Sequence, residues 1–204
     1  MYIHAPDDYQ VTTTGYLTRA EKLRETDTLQ NLFYAAFEVR CALERTLVDF
    51  LVLVLNPKKP DLYLRRSDYQ PKVVLRMIRR VDPDFEKRLR FTRLLLQANG
   101  LTRSNVPFDF EWVCSSWDRI NTYLHHQKDP DSTVSNPEWV GQFETCVDTV
   151  RTKLLAMWKS NRGYLKEPNS KGDQVYELFL TGEYTDQQII NMLRLSDIPG
   201  ATGL

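Results

Sequence analysis

The chain has 204 residues, 42% of them apolar, and only 8 glycines, which excludes a disordered chain and favours an all-α fold of one full domain, or of a domain of about 150 residues with an appendage. Its formal net charge of zero hides a basic middle, since residues 58–103 carry 13 Lys and Arg against 5 Asp and Glu while both flanks are acidic. The most apolar run, Thr46 to Leu55, contains Asp49 and is too short to span a membrane, and Met1–Gln10 lacks the apolar centre of a signal peptide, so a cytoplasmic protein with no membrane association is expected.

In chain order, residues 1–14 have no period and read as a surface arm. A short first helix is predicted to begin near Gly15, with Leu17, Ala20 and Leu23 on one side. Thr28 is placed to cap a long second helix that Asn56-Pro57 stops. Its apolar stripe runs through Leu29, Phe33, Ala36, Leu43, Leu47, Leu51 and Val54, and Arg40 falls where the stripe asks for another apolar residue. An unpaired buried guanidinium costs several kcal/mol, so Arg40 must pair, with Glu44 one turn on as the nearest candidate, or must line a groove.

Residues 58–70 read as a loop, and Pro71 suits the first position of a basic helix through Val81. Asp82-Pro83 starts a further helix that ends near Asn99-Gly100. After a break at Asn105–Asp109, the spacing Phe110, Val113, Trp117, Ile120, Leu124 marks a helix ending at His125-His126. A loop over Lys128–Asn136 follows, and Asn136-Pro137 opens a helix that buries Trp139, Phe143, Val147, Val150, Leu154 and Trp158. Residues 161–171 read as a linker, then Val175–Leu180 and Thr185–Leu195 as two short helices, with Thr185 capping the second. The predicted organisation is a four-to-five-helix bundle over 1–160 with its N-terminal arm, a linker over 161–171, and a helical hairpin over 172–204.

Cys41, Cys114 and Cys146 are odd in number, far apart and set in helical patterns, so buried free thiols are expected rather than disulfides or zinc ligands. There is no Gly-rich phosphate loop and no metal-ligand spacing, so neither cofactor nor metal is expected; His4 reads as a surface residue. The candidate catalytic group is Arg40, Glu44 and His125. An imidazole brought near a guanidinium would supply the general acid or base for cleaving an RNA phosphodiester, with Arg40 stabilising the phosphorane charge and Glu44 orienting one of them. The competing reading is a structural network in which Arg40 pairs with Glu44 or Asp118 and His125 closes a helix end.

The segments Val39-Arg40-Cys41-Ala42-Leu43-Glu44-Arg45 and Ile120-Asn121-Thr122-Tyr123-Leu124-His125 resemble helical bundles of the HEPN superfamily, over about residues 28–158. The likeness is narrower to a prokaryotic branch with an Arg-x-x-x-Glu helix and a distant Leu-His. That resemblance implies a dimer acting as a ribonuclease, an RNA-binding module or a toxin in prokaryotic or phage defence. The superfamily's catalytic signature places His four to six residues after Arg on one helix. Here Arg40 is followed by Cys41, with no His over the next turns, so only Arg40 maps to the signature and His125 maps to the branch pattern alone.

Two further features bear on partners. Lys72, Arg76, Arg79 and Arg80 share one side of a helix and Lys87, Arg88, Arg90 and Arg93 decorate the next, a stripe suited to phosphates or to an acidic protein partner, with Tyr63, Tyr69 and Phe91 available to stack on unpaired bases. The C-terminal hairpin looks like the first two-thirds of a helix-turn-helix, but Asp197-Ile198-Pro199-Gly200 breaks the element that would read a groove, so docking by its apolar residues is expected instead. The leading expectation is a non-catalytic or degenerate HEPN-like homodimer that binds RNA or a protein partner. The alternatives are a metal-independent ribonuclease, and an antitoxin, inhibitor or adaptor docking an acidic partner.

Overall fold

The computed structural model describes residues 9–55, 70–101, 106–125, 135–161 and 172–195; the 58–69 loop with Tyr63 and Tyr69, His4, His126, most of the 128–136 loop and of the linker, and residues 196–204 lie outside them. Among the described residues there are eight helices and no strand: α1 (Thr13–Arg24), α2 (Leu29–Val54), α3 (Pro71–Val81), α4 (Phe85–Ala98), α5 (Phe110–His125), α6 (Pro137–Ser160), α7 (Gly172–Thr181) and α8 (Asp186–Leu195). No helix among them is long and apolar enough to cross a membrane.

Helix boundaries follow local chemistry. Thr28 caps α2 by accepting from Asn31 N at 3.2 Å, and Asn136 Oδ1 accepts from Glu138 N at 3.0 Å at the start of α6. The first helix begins earlier than predicted, at Thr13, because Thr12 takes the cap and accepts from Gly15 N at 3.0 Å. Gly15 is needed there, since a Cβ would collide with the carbonyl oxygen of Gln10. Asn161, first residue of the predicted linker, is buried at the end of α6, its amide donating to Met157 O at 2.7 Å and Val106 O at 2.9 Å.

The chain divides into two compact units, and the first takes in the described part of residues 1–77 with Asp109–Leu155. Contacts of Thr13 with Thr46 and of Arg19 with Glu38 run in opposite order along α1 and α2, so these helices are antiparallel. Phe50 with Phe110, and Glu44 with Trp117, make α5 antiparallel to α2 by the same argument. The first part of α6 joins them through Arg24 to Glu144 and Asp148, and through Phe143, which stacks on Tyr123 at 4.7 Å and meets Phe33 edge-on at 5.2 Å.

The buried arc of α2 is wider than the predicted stripe. Leu32, Val39 and Phe50 are buried alongside Leu43 and Leu47 because α1 and α5 both pack against the helix. Ala20, Ala35, Ala36 and Ala42 are fully buried, and their small side chains allow close approach of the helices. Leu29 and Phe33 are only half-buried, and Arg40, 26% exposed, lies at the edge of the arc rather than in its centre.

The second unit comprises the described residues of Ile78–Phe108 and Ala156–Leu204. The C-terminal hairpin has α4 as its partner. The physical cause is apolar area: Val175, Tyr176, Phe179, Ile189, Ile190 and Leu193 cannot be covered by two short helices alone, and Phe91 and Leu94 of α4 complete the cluster. Each such side chain contributes about 1.5–3 kcal/mol when fully buried. Gly182, at φ +73°, ends α7, and Thr185 with Gln188 forms a reciprocal cap on α8, Thr185 N donating to Gln188 Oε1 at 2.9 Å and Gln188 N to Thr185 Oγ1 at 3.4 Å.

Candidate functional site

In the first unit, Arg40 and Glu44 meet as the helical spacing predicts, Arg40 Nε donating to Glu44 Oε1 at 3.1 Å. The same oxygen accepts from Trp117 Nε1 at 2.7 Å, and the Arg40 guanidinium lies over the Trp117 ring at 5.2 Å. Asp118, the other candidate partner of Arg40, binds Lys72 instead at 2.6 Å. The apolar stripe of α5 enlists Trp117 as a core residue, and what it misses is that an indole N–H taken from water needs an acceptor. Glu44 thereby becomes the tie between α2 and α5.

His125 does not join this group. It is exposed at the end of α5, two helical turns beyond Trp117, or about 12 Å along the axis, and among the described residues no hydrogen bond or ion pair links it to Arg40 or Glu44. Among the described residues the group therefore holds a guanidinium, a carboxylate and an indole, and no imidazole. Cys41, beside Arg40, is held as a neutral thiol: burial above all, and then the nearby Glu44 and Glu38 carboxylates, push it up to about 11. All three cysteines are free thiols, Cys114 and Cys146 buried and Cys41 half-buried.

The eight predicted cations separate by their surroundings. Arg88 is held by Asp82 at 3.4 Å, while Arg90 and the nearly buried Arg93 share Asp186 of α8, at 2.6 and 3.3 Å. Lys72, Arg79 and Lys87 make exposed pairs with Asp118, Glu86 and Asp84 at 2.6, 2.8 and 3.0 Å. Such surface pairs contribute little and exchange readily with other anions. Arg76 and Arg80, exposed and one turn apart on α3, have no carboxylate partner among the described residues. Phe91 is not available to stack on bases, because it is buried against Tyr176 and Phe179.

One surface went unread in the sequence. Tyr34 and Phe37, 54% and 53% exposed on α2, flank a groove of about 510 Å³ that Arg19, Lys22, Leu23 and Glu38 also line. Their spacing off the apolar stripe was the available signal. In comparisons with known proteins, no protein-family model, no curated protein and no solved structure matches the chain.

Proposed function

We propose that the protein is a non-catalytic helical module that binds RNA through the exposed cationic face of α3. One observation carries the reading: Arg76 and Arg80 stand about 6 Å apart along a single helix, exposed and untied to any described carboxylate, while Arg88, Arg90 and Arg93 are engaged within the chain. Lys72 and Arg79 extend the same helix face, and their surface pairs yield to phosphate at small cost. Binding rather than cleavage is favoured by the position of His125, apart from Arg40 and Glu44. The resemblance to the HEPN superfamily supports the reading through its RNA-binding members, and with it a homodimer and a role in prokaryotic or phage defence, including toxin–antitoxin pairs. The test is anisotropy of a labelled single-stranded RNA, without added metal, against the Arg76→Ala/Arg80→Ala variant. Binding lost in the variant, with the RNA intact, supports the proposal; cleavage that His125→Ala abolishes would replace it with the ribonuclease reading.

A second reading, an interaction protein of the adaptor or antitoxin kind, is favoured by the exposed Tyr34 and Phe37, since paired surface aromatics are typical of protein contacts. It predicts binding to a protein partner that weakens with Tyr34→Ser/Phe37→Ser and barely responds to salt.

A further inference from the structure

Two guanidiniums from one helix converge on a single carboxylate brought from elsewhere in the chain. Arg90 reaches Asp186 Oδ1 with both Nε, at 3.2 Å, and Nη2, at 2.6 Å, and Arg93 Nη2 reaches Oδ2 at 3.3 Å. Arg93 is 4% exposed, whereas Arg90 is 56% and Asp186 37% exposed, so one side of the group is open to an incoming anion. Arg90 also lies over the Phe179 ring at 5.5 Å, a contact independent of the carboxylate. The hairpin is held by its apolar cluster with Phe91 and Leu94, so Asp186 can turn away without the hairpin leaving α4.

We propose that Arg90 and Arg93 form a second anion site, for a phosphate group of RNA, and that Asp186 occupies it at rest as a built-in competitor. The fork of Arg90 suits a phosphate as it suits a carboxylate, and its stacking on Phe179 keeps it in place when the carboxylate is withdrawn. Asp186 also suits the first turn of α8, where a carboxylate is favourable, and that alone would account for its presence. The two roles differ in what happens to binding when only its charge is removed.

The inference rests on the RNA reading for its ligand, but a comparison of variants separates the two. The probe is a labelled 20-nucleotide single-stranded RNA, titrated at several salt concentrations against wild type, Asp186→Asn, Asp186→Asn/Arg90→Ala and Arg76→Ala/Arg80→Ala. Asp186→Asn is expected to bind about fivefold more tightly, the worth of one exposed ion pair, with a salt slope steeper by about 0.7 for one added phosphate contact. Removing Arg90 as well should cancel the gain. Unchanged affinity in Asp186→Asn would overturn the competitor site, even where Arg76→Ala/Arg80→Ala shows that α3 binds RNA. A gain that survives loss of Arg90 would also overturn it, because a loosened hairpin rather than a freed arginine would then be responsible. A wild type that fails to bind, beside an Asp186→Asn protein that does bind, would sink the α3 reading and keep this one.

Discussion

Trp117 Nε1 donates to Glu44 Oε1 at 2.7 Å, and through that bond a residue of the α5 core stripe fixes the one carboxylate that also holds Arg40. The bond crosses between helices, whereas the Arg40 pair lies along one helix surface. Trp117→Phe keeps most of the ring and removes the donor, so it should cost about 1–2 kcal/mol, at or just below the lower end of the range for bonds to charged groups because Glu44 is partly exposed. At about 2–4 °C per kcal/mol, the melting temperature should fall by about 2–8 °C. Arg40→Ala should cost less than about 1 kcal/mol. Thermal unfolding by circular dichroism ranks the two, and an Arg40→Ala protein that fails to fold would contradict this account of the site.

The hairpin depends on its apolar cluster. Ile189 is fully buried in it, and Ile189→Ala should cost about 2–4 kcal/mol through lost burial and a residual cavity. Amide exchange in α7 and α8 is the appropriate reading, and it should accelerate markedly in the variant. Exchange unchanged from wild type would show that the cluster does not hold the hairpin.

Asp49 gives a pH signature. Burial raises its carboxyl above the ordinary range, outweighing the Arg45 pair at 2.7 Å and the Thr13 hydroxyl, which lower it. A carboxyl raised on folding binds its proton more tightly in the folded chain, so its contribution is present below the unfolded pKa of about 3.9 and lost as pH rises through the folded value. The stability of wild type minus that of Asp49→Asn, from urea midpoints, should therefore fall as pH rises above the unfolded value of about 3.9. A difference that grows instead would mean that the Arg45 pair dominates.

Thiol chemistry tests the burial around Arg40. With its thiol pushed up to about 11, Cys41 carries little thiolate at pH 8, and Cys146 is raised by burial in the same direction. Reaction with iodoacetamide at pH 8 should be slow for the folded protein and rapid for all three cysteines in urea. Fast labelling of Cys41 in the folded state would show that this flank of α2 is open.

The legible parts of the sequence were those written locally. Pro71, Asn136-Pro137 and Thr185 mark helix starts because each acts on its own backbone, and α3, α6 and α8 begin as those residues dictate. The Arg40–Glu44 pair was likewise readable from one helical turn. Pairings across the chain were not: an apolar stripe says that a face is covered but not by what, so neither Trp117 on Glu44 nor Asp186 on Arg90, 73 and 96 residues apart, had a sequence signal. For the same reason the second buried flank of α2, covered by α1, and the docking of the hairpin on α4 had to be seen.

The proposed binding of RNA by Arg76 and Arg80 on α3 is read in the salt dependence of affinity. For a labelled single-stranded RNA, log K against log salt should be linear with a slope of about −1.4 to −2.8, corresponding to two to four phosphate contacts. Arg76→Ala/Arg80→Ala should flatten that slope by about 1.4 while leaving the melting temperature unchanged. A wild-type slope near zero, or one that the double variant does not alter, would contradict the claim.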